Sequence, residues 1–247
     1  MSLVVPWFRL GYIIPHLHTD MDAYQFYRVA PDGVMLVTTQ LNLADYTASA
    51  VESELPTFWD RVELLGRQQV DVVALSGVPI AAALGRPRIL ALLKEVEDRS
   101  GRPASTDLEA HLAAFQHLGV ERLAIGSRGP DAVVTALVSY LEAAGIEVVA
   151  LHTRPRSLES NKLARPQADH ELALELGRAA LRKAPMAQGL MLPGGLWYAI
   201  HAAPILEAEF GVPVTLNITA TTWSAMQHHD GPPPVPLDPT WGRLFSS

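Results

Sequence analysis

Val70-Asp71-Val72-Val73-Ala74-Leu75-Ser76-Gly77 and Leu190-Met191-Leu192-Pro193-Gly194-Gly195 follow one pattern, a short apolar run that stops at glycine. An apolar run without alternation marks a parallel strand covered on both faces. Glycine at its end marks a turn whose backbone other residues resist. Each run leads into a helix-like segment, then Gly-x-Pro (Gly101-Arg102-Pro103 and Gly211-Val212-Pro213), then a Ser/Thr/Asn-rich turn. Two such strand ends, set face to face, frame a cleft between pseudo-symmetric halves.

The rest of the chain reads outward from this pair. Leu10-Gly11-Tyr12-Ile13-Ile14-Pro15 is a buried strand running into the polar loop His16-Leu17-His18-Thr19-Asp20. Pro31-Asp32-Gly33 turns into a strand over 34–39. Helical spacing covers 48–68, 88–99 and 108–118. A strand over 122–127 precedes a helix over 132–144, opened by Pro130 and closed by Gly145. Strands over 146–151 and 212–216 and helices over 169–182, 199–210 and 220–227 complete the reading. Strands alternating with helices predict an α/β fold of parallel sheets with helices on both faces.

The order also recurs. The first strand corresponds to 122–127, the second to 146–153, and the two glycine-bearing and two Gly-x-Pro strands correspond to each other. This is duplication of an α/β unit of roughly 110 residues, a size that holds its own core. The expected division is a first lobe of 1–118 with a returning segment 212–230, a second lobe of 119–211, and a Pro-rich tail, 231–247. The tail reads either as an extended arm pinned by Trp241 and Phe245 or as a partly disordered terminus.

A net charge of −7 argues against a nucleic-acid partner, which needs a basic face to release counterions. An acidic chain can still bind anions at helix N-termini. The chain has no cysteine, which removes disulfides, thiolate nucleophiles and sulfur-ligated metals together. No stretch approaches the roughly 18–20 apolar residues of a membrane helix. The first residues lack the basic head and apolar run of a signal peptide, so the expectation is a cytoplasmic protein with no membrane partner.

Several pieces together resemble the aspartate/glutamate racemase superfamily, and within it the maleate cis–trans isomerase and arylmalonate decarboxylase branch. They are Leu10-Gly11-Tyr12-Ile13-Ile14-Pro15, Asp71-Val72-Val73-Ala74-Leu75-Ser76-Gly77, Tyr140-Leu141-Glu142-Ala143-Ala144-Gly145, and Gly211-Val212-Pro213-Val214 with Asn217 and Trp223. The resemblance spans roughly 9–227. It implies two facing Rossmann-like lobes, an active site between them, a small carboxylate or dicarboxylate ligand, no metal or organic cofactor, and self-association into a homo-oligomer. It also implies one cysteine at each strand-end turn in the racemases and isomerases. The decarboxylases keep only the second, which protonates an enediolate-like intermediate. Here Gly77 matches the first thiol position and Gly194 the second. Gly129 falls where the isomerases carry tyrosine, and His18 where asparagine is usual.

What the resemblance leaves is anion-holding equipment: Thr19, Ser105, Thr106, Ser127, Asn217 and Thr219, with Ser76, Gly77, Val78, Gly194 and Gly195 at the turns. Glycine before a helix leaves N–H donors facing an anion, or it simply makes a tight turn. Ser76 lacks the flanking glycine of a nucleophile elbow. His18 and Asp20 are the candidates to move a proton without a thiol. With His16 they also show i, i+2, i+4 metal spacing, though without a further partner; an ordinary polar loop is the plainer alternative. Ser105-Thr106-Asp107 and Asn217 with Thr219 equally suit helix capping. Trp197-Tyr198 walls an apolar pocket or packs a helix face. Three functions stay open: a cofactor-independent isomerase or lyase acting without thiol chemistry, a carboxylate-binding homologue without turnover, and a structural subunit that docks through its tail.

Overall fold

The structure is a computed structural model that describes residues 5–17, 20–41, 43, 46–156, 160 and 165–246. Eight strands form two sheets with one plan. β1 (Phe8–Ile14), β2 (Val34–Gln40), β3 (Val72–Leu75) and β4 (Ala104–Thr106) lie in the order β2-β1-β3-β4. β5 (Arg122–Ser127), β6 (Glu147–Thr153), β7 (Gly189–Leu192) and β8 (Val214–Leu216) lie in the order β6-β5-β7-β8. Every pairing is parallel. Each strand of the first sheet therefore has the counterpart that the duplicated sequence pattern assigns to it. The glycine-bearing strands β3 and β7 sit beside the central strands β1 and β5. Their carboxyl ends are therefore available to line a crevice.

The helices, in chain order, are α1 (Asp20–Val29), α2 (Ala48–Ser53), α3 (Leu55–Arg67), α4 (Val78–Leu84), α5 (Arg86–Ser100), α6 (Asp107–Leu118), α7 (Asp131–Glu142), α8 (Pro166–Lys183), α9 (Ala202–Phe210) and α10 (Asn217–Met226). The helical pattern over 48–68 divides at Glu54, where Pro56 opens a second helix. α6 has clear local signals: Thr106 Oγ accepts the Glu109 N–H at its start, and Gly119 ends it at φ +67°. α1 lies in a segment the sequence pattern left unassigned. Its buried face mixes Asp22 and Gln25 with Met21, Phe26 and Val29, so no clean apolar stripe shows.

The division at 212 needs correction. β8 pairs with β7, so the strand in the returning segment stays in the second sheet. Only its helix crosses over. α10 contributes Ile218, Trp223, Ala225 and Met226 to the core of Phe8, Leu10, Tyr12 and Ile14 in the first sheet. Reciprocally, α6 follows the first sheet but packs Leu108 and Phe115 with Leu123, Ile125 and Met191 of the second. The two helices pack against each other along the seam. Each lobe thus completes the core of the other, and the halves cannot separate without exposing both exchanged helices.

The tail is neither an extended arm nor loose. Two short 3-10 turns, Pro239–Trp241 and Arg243–Phe245, fold Leu244 and Phe245 into the first-lobe core. Glu207 clamps the return, accepting the Arg243 N–H at 2.8 Å and the Val214 N–H at 2.8 Å. Among the described residues no helix is long and apolar enough to cross a membrane.

Candidate active site

Both glycine turns open into one cleft of about 720 Å³, counting its open mouth. Its walls carry Pro15, His16 and Tyr46, the turn Ser76-Gly77-Val78, the turn Ser127-Arg128-Gly129, and the turn Pro193-Gly194-Gly195. Val133, Val134 and Leu137 of α7, together with Leu196, supply an aliphatic face. The structure brings Ser76, Gly77, Val78, Ser127, Gly194 and Gly195 together here. His18 and Thr19 lie outside the described residues. Asp20 begins α1 and is exposed.

Four other candidates lie behind the cleft and do not line it. Thr106 caps α6. Ser105 turns onto its own chain, its hydroxyl donating to Thr106 O at 3.3 Å, beside a separate groove with Leu90 and Lys94. Thr219 Oγ accepts the Leu216 N–H at 3.1 Å and donates to Leu216 O at 3.0 Å. Asn217 is buried in the seam. Capping chemistry accounts for Thr106 and Thr219, because the residues around a helix start are where its free N–H groups need partners.

Asn217 belongs to a network that fixes the turns. Gly77 and Gly194 adopt matching left-handed conformations, φ +110° and +114°. The Gly77 N–H donates to Asp107 Oδ2 at 2.9 Å, and the Gly194 N–H donates to Asn217 Oδ1 at 3.0 Å. Asp107 and Asn217 are the first residues of α6 and α10, so they occupy equivalent places in the duplicated plan. Across the seam Asn217 Nδ2 donates to Asp107 Oδ2 at 2.9 Å. Tyr12, Thr221 and Ser76 hydroxyls also donate to Asp107, at 2.9, 2.8 and 3.3 Å. Burial pushes the Asp107 carboxyl up from its ordinary value, while the Gly77, Thr221, Tyr12 and Asn217 donors pull it back.

His111 completes the seam. Asn217 Oδ1 already serves as an acceptor, so the His111 ring donates to it from Nε2 at 3.2 Å. That leaves Nδ1 to accept from the Thr215 hydroxyl at 2.9 Å. Burial holds His111 down to about 4, which keeps the ring neutral in this role.

This wiring overturns one expectation. The N–H groups of Gly77 and Gly194 point inward to side-chain acceptors, so they do not form an anion nest. At the first turn Pro79 brings no N–H, and the Ile80 and Ala81 N–H groups close on Gly77 O at 3.0 and 3.2 Å. These N–H groups are committed to holding the turn's own shape.

Titratable groups nevertheless reach the cleft. His16 forms part of its wall, and its Nε2 stands 3.6 Å from Asp22 Oδ2. Asp22 is 1 % exposed, and its Oδ2 has no hydrogen-bond partner among the described residues. Burial first, then the Asp107 and Asp20 charges, push its pKa up to about 8. Tyr46 is pushed up to about 12 by burial and by the Asp22 charge. A Cβ on Gly195 would lie 2.6 Å from Asp22 Oδ1, so this glycine is what lets the carboxyl approach the second turn. Gln25, one helical turn on from Asp22, donates to Gly195 O at 3.3 Å and accepts the Ala199 N–H at 3.2 Å.

A buried cation stands at the opposite wall. Arg128 is 4 % exposed, 3.6 Å from Asp169 and 4.9 Å from the Trp197 ring centroid. Burial lowers its pKa to about 10 against the attraction of Asp169. Sequence reasoning missed both Asp22 and Arg128. The signals were an acid one turn into a helix at a strand's carboxyl end, and an arginine inside Gly126-Ser127-Arg128-Gly129-Pro130.

With this geometry established, comparison with known proteins is decisive about kinship. The arylmalonate decarboxylase family model matches residues 10–244. The chain belongs to the arylmalonate decarboxylase family. The arylmalonate decarboxylase of Bordetella bronchiseptica is 27 % identical over 219 residues, covering 88 % of each chain. Among solved structures, a liganded arylmalonate decarboxylase variant with a glycine-to-cysteine and a cysteine-to-serine exchange is 23 % identical, with a TM-score of 0.84 over 97 % of this chain and 99 % of that one. A maleate isomerase from Pseudomonas putida S16, solved with maleate, is 18 % identical, with a TM-score of 0.80 over 97 % of both chains. The family stands within the racemase-like branch that the sequence resembles, and this member of it has no cysteine.

Proposed function

We propose that this chain is a cofactor-independent decarboxylase or isomerase of small carboxylates in which His16 and Asp22 move the proton that a thiol would otherwise carry. The observation that carries the proposal is a buried Asp22, its pKa raised to about 8, 3.6 Å from a histidine in the cleft wall. At pH 7 that carboxyl is mostly protonated, as a general acid must be. In the decarboxylation of a malonate-type acid, the bond to the leaving carboxylate breaks and its electron pair remains on the α-carbon as an enediolate. Carbon dioxide departs along the aliphatic wall, and His16 delivers to the carbon a proton replenished from Asp22. Asp22 is then reprotonated from water, so one proton is consumed per turnover.

A second reading is a carboxylate-binding homologue without turnover. The inward wiring of the Gly77 and Gly194 N–H groups favours it, since those donors cannot stabilise an enediolate. Incubation with phenylmalonate, methylphenylmalonate and maleate in deuterated buffer, followed by proton NMR, separates the two. The enzyme reading expects monodeuterated acid from the malonates, or fumarate from maleate, at a rate that Asp22→Asn lowers by a factor of about 100 or more. Ligand-dependent thermal stabilisation with no product above the buffer control selects the second reading. Cytoplasmic placement and self-association belong to the same proposal, and light scattering of the purified protein reads the latter.

A further inference from the structure

Three features meet beside Gly194. The first is charge. The charged groups acting on Arg128 are Asp169 and Arg156. Arg128 stands 3.6 Å and Arg156 3.5 Å from the same Asp169 oxygen, so two guanidinium groups share one carboxylate. Asp169 is fully buried and Arg128 nearly so. One positive charge in this group therefore has no counter-charge among the described residues. Arg156 is partly exposed and keeps water, whereas Arg128 is out of it, so a second carboxylate beside Arg128 would relieve the cost of its burial.

The second feature is an orphan donor. Trp197 is fully buried, and its Nε1–H has no hydrogen-bond partner among the described residues. A buried indole N–H ordinarily finds an acceptor. The third is room. A Cβ built on Gly194 would meet a single atom within 4 Å, and that atom is Trp197 Nε1 at 3.8 Å. At Gly77 the same construction meets Ile80 and Pro15 at 3.2 and 3.3 Å. The second turn thus has space where the first is filled, and the unused donor borders that space.

We infer that the room over Gly194 is a carboxylate pocket, in which the Arg128 guanidinium and the Trp197 Nε1–H hold the retained carboxylate of a small acid whose apolar body lies on Val133, Val134 and Leu137. This rests on the proposed action on carboxylates and narrows it. The ligand has one anionic group at the second turn and a hydrocarbon body that lies against the aliphatic wall. A maleate isomerase of the same fold was solved with maleate, and the anchor argued here is assembled from this chain's own arginine and tryptophan. Arginine is suited to it because its planar fork matches a carboxylate with two parallel hydrogen bonds.

The test is equilibrium binding of phenylacetate against 2-phenylacetamide, its neutral isostere, by calorimetry. The wild-type protein is expected to bind the acid at least about tenfold tighter, the range of one charge-assisted hydrogen bond. Arg128→Met should weaken phenylacetate about 10- to 100-fold and leave the amide within about twofold. Where that variant does not fold, Arg128→Lys retains the charge beside Asp169 while losing the fork, and still narrows the acid-over-amide preference. Independently, in nitrogen-15-labelled wild-type protein, the Trp197 indole N–H resonance, assigned by its loss in Trp197→Phe, should move downfield with phenylacetate and not with the amide. Equal affinity for acid and amide, an unmoved Trp197 resonance, or an Arg128→Met protein that keeps its preference for the acid would each overturn the inference. None of these readouts uses turnover. Selective binding without product sinks the His16–Asp22 reading alone, and turnover without acid selectivity sinks the anchor alone.

Discussion

Replacing Asp22 with asparagine keeps the side chain's shape and removes its titration. The buried carboxyl has a pKa of about 8 against an ordinary value of 3.8. Between those two values the folded chain holds a proton that the unfolded chain has released. Stability therefore falls as pH rises through this window, at up to about 1.4 kcal/mol per unit. Below the window both states are protonated and the effect is absent; above it the whole penalty stands. His111 works in the opposite sense. Burial holds it near 4 against an ordinary 6.5, so its contribution is complete above 6.5 and is lost as pH falls toward 4. The two slopes oppose each other between pH 4 and 6.5, and Asp22 acts without that opposition above 6.5. From pH 6.5 to 8 the loss integrates to about 1.5 kcal/mol, because the slope halves at the pKa itself. Urea unfolding of wild type and Asp22→Asn at pH 6.5, 7.2 and 8.0 reads it directly. The difference between the two proteins cancels every other titrating group. Wild type should lose about 1.5 kcal/mol relative to the variant across that range. A difference that stays constant within about 0.5 kcal/mol would refute both the raised pKa and the acid role built on it.

The two glycines of the second turn separate by the same measurement. Gly194→Ala places a methyl group in open room and costs only the strain of φ +114°, about 1–2 kcal/mol. Gly195→Ala drives a methyl to within 2.6 Å of Asp22 Oδ1 and displaces the carboxyl. Gly194→Ala should therefore keep the pH slope assigned to Asp22 while weakening phenylacetate binding, and Gly195→Ala should lose the slope. A Gly195→Ala protein with the wild-type slope would contradict this placement of Asp22. Deleting residues 232–247 removes Leu244 and Phe245 from the first-lobe core, which predicts a loss of about 3–5 kcal/mol in thermal or urea unfolding. An unchanged unfolding midpoint with altered light scattering would assign the tail to a partner instead.

The sheets were legible because their signals are short-range. Apolar runs ending in glycine and the repeated Gly-x-Pro each mark one strand end, and their common order discloses the duplication. The place of β8 in the second sheet and the crossing of α6 were not legible, because a three-residue strand carries no mark of which sheet it joins. Choosing the partner is a tertiary matter: Val214 and Leu216 of β8 pack in the second-lobe core, while Ile218 and Trp223 of α10 pack on the first sheet. The site failed to show itself for a related reason. Asp22 and Gln25 are polar residues on the buried face of α1, so the features that make them functional candidates also erased the helical stripe that would have located them. Thr106 and Thr219 show the converse error. A polar residue after a strand serves a cap as well as a ligand, and residue type alone does not distinguish the two.

The seam also explains why a carboxylate would choose one turn over the other. Two acids at the equivalent positions of α6 and α10 would stand within hydrogen-bond distance and could not both ionise. The chain resolves this with one aspartate and one amide. Asp107 receives hydrogen bonds from Tyr12, Ser76, Gly77, Asn217 and Thr221, a set of donors suited to an ionised carboxylate. The first turn thus has a carboxyl bonded directly to its glycine. The second turn is bonded to the neutral Asn217, and Arg128 lines the same cleft against the Trp197 ring. A duplicated scaffold is in this way polarised end to end by a single Asp/Asn difference. An anion entering the cleft meets an acid behind Gly77 and a buried guanidinium on the Gly194 side.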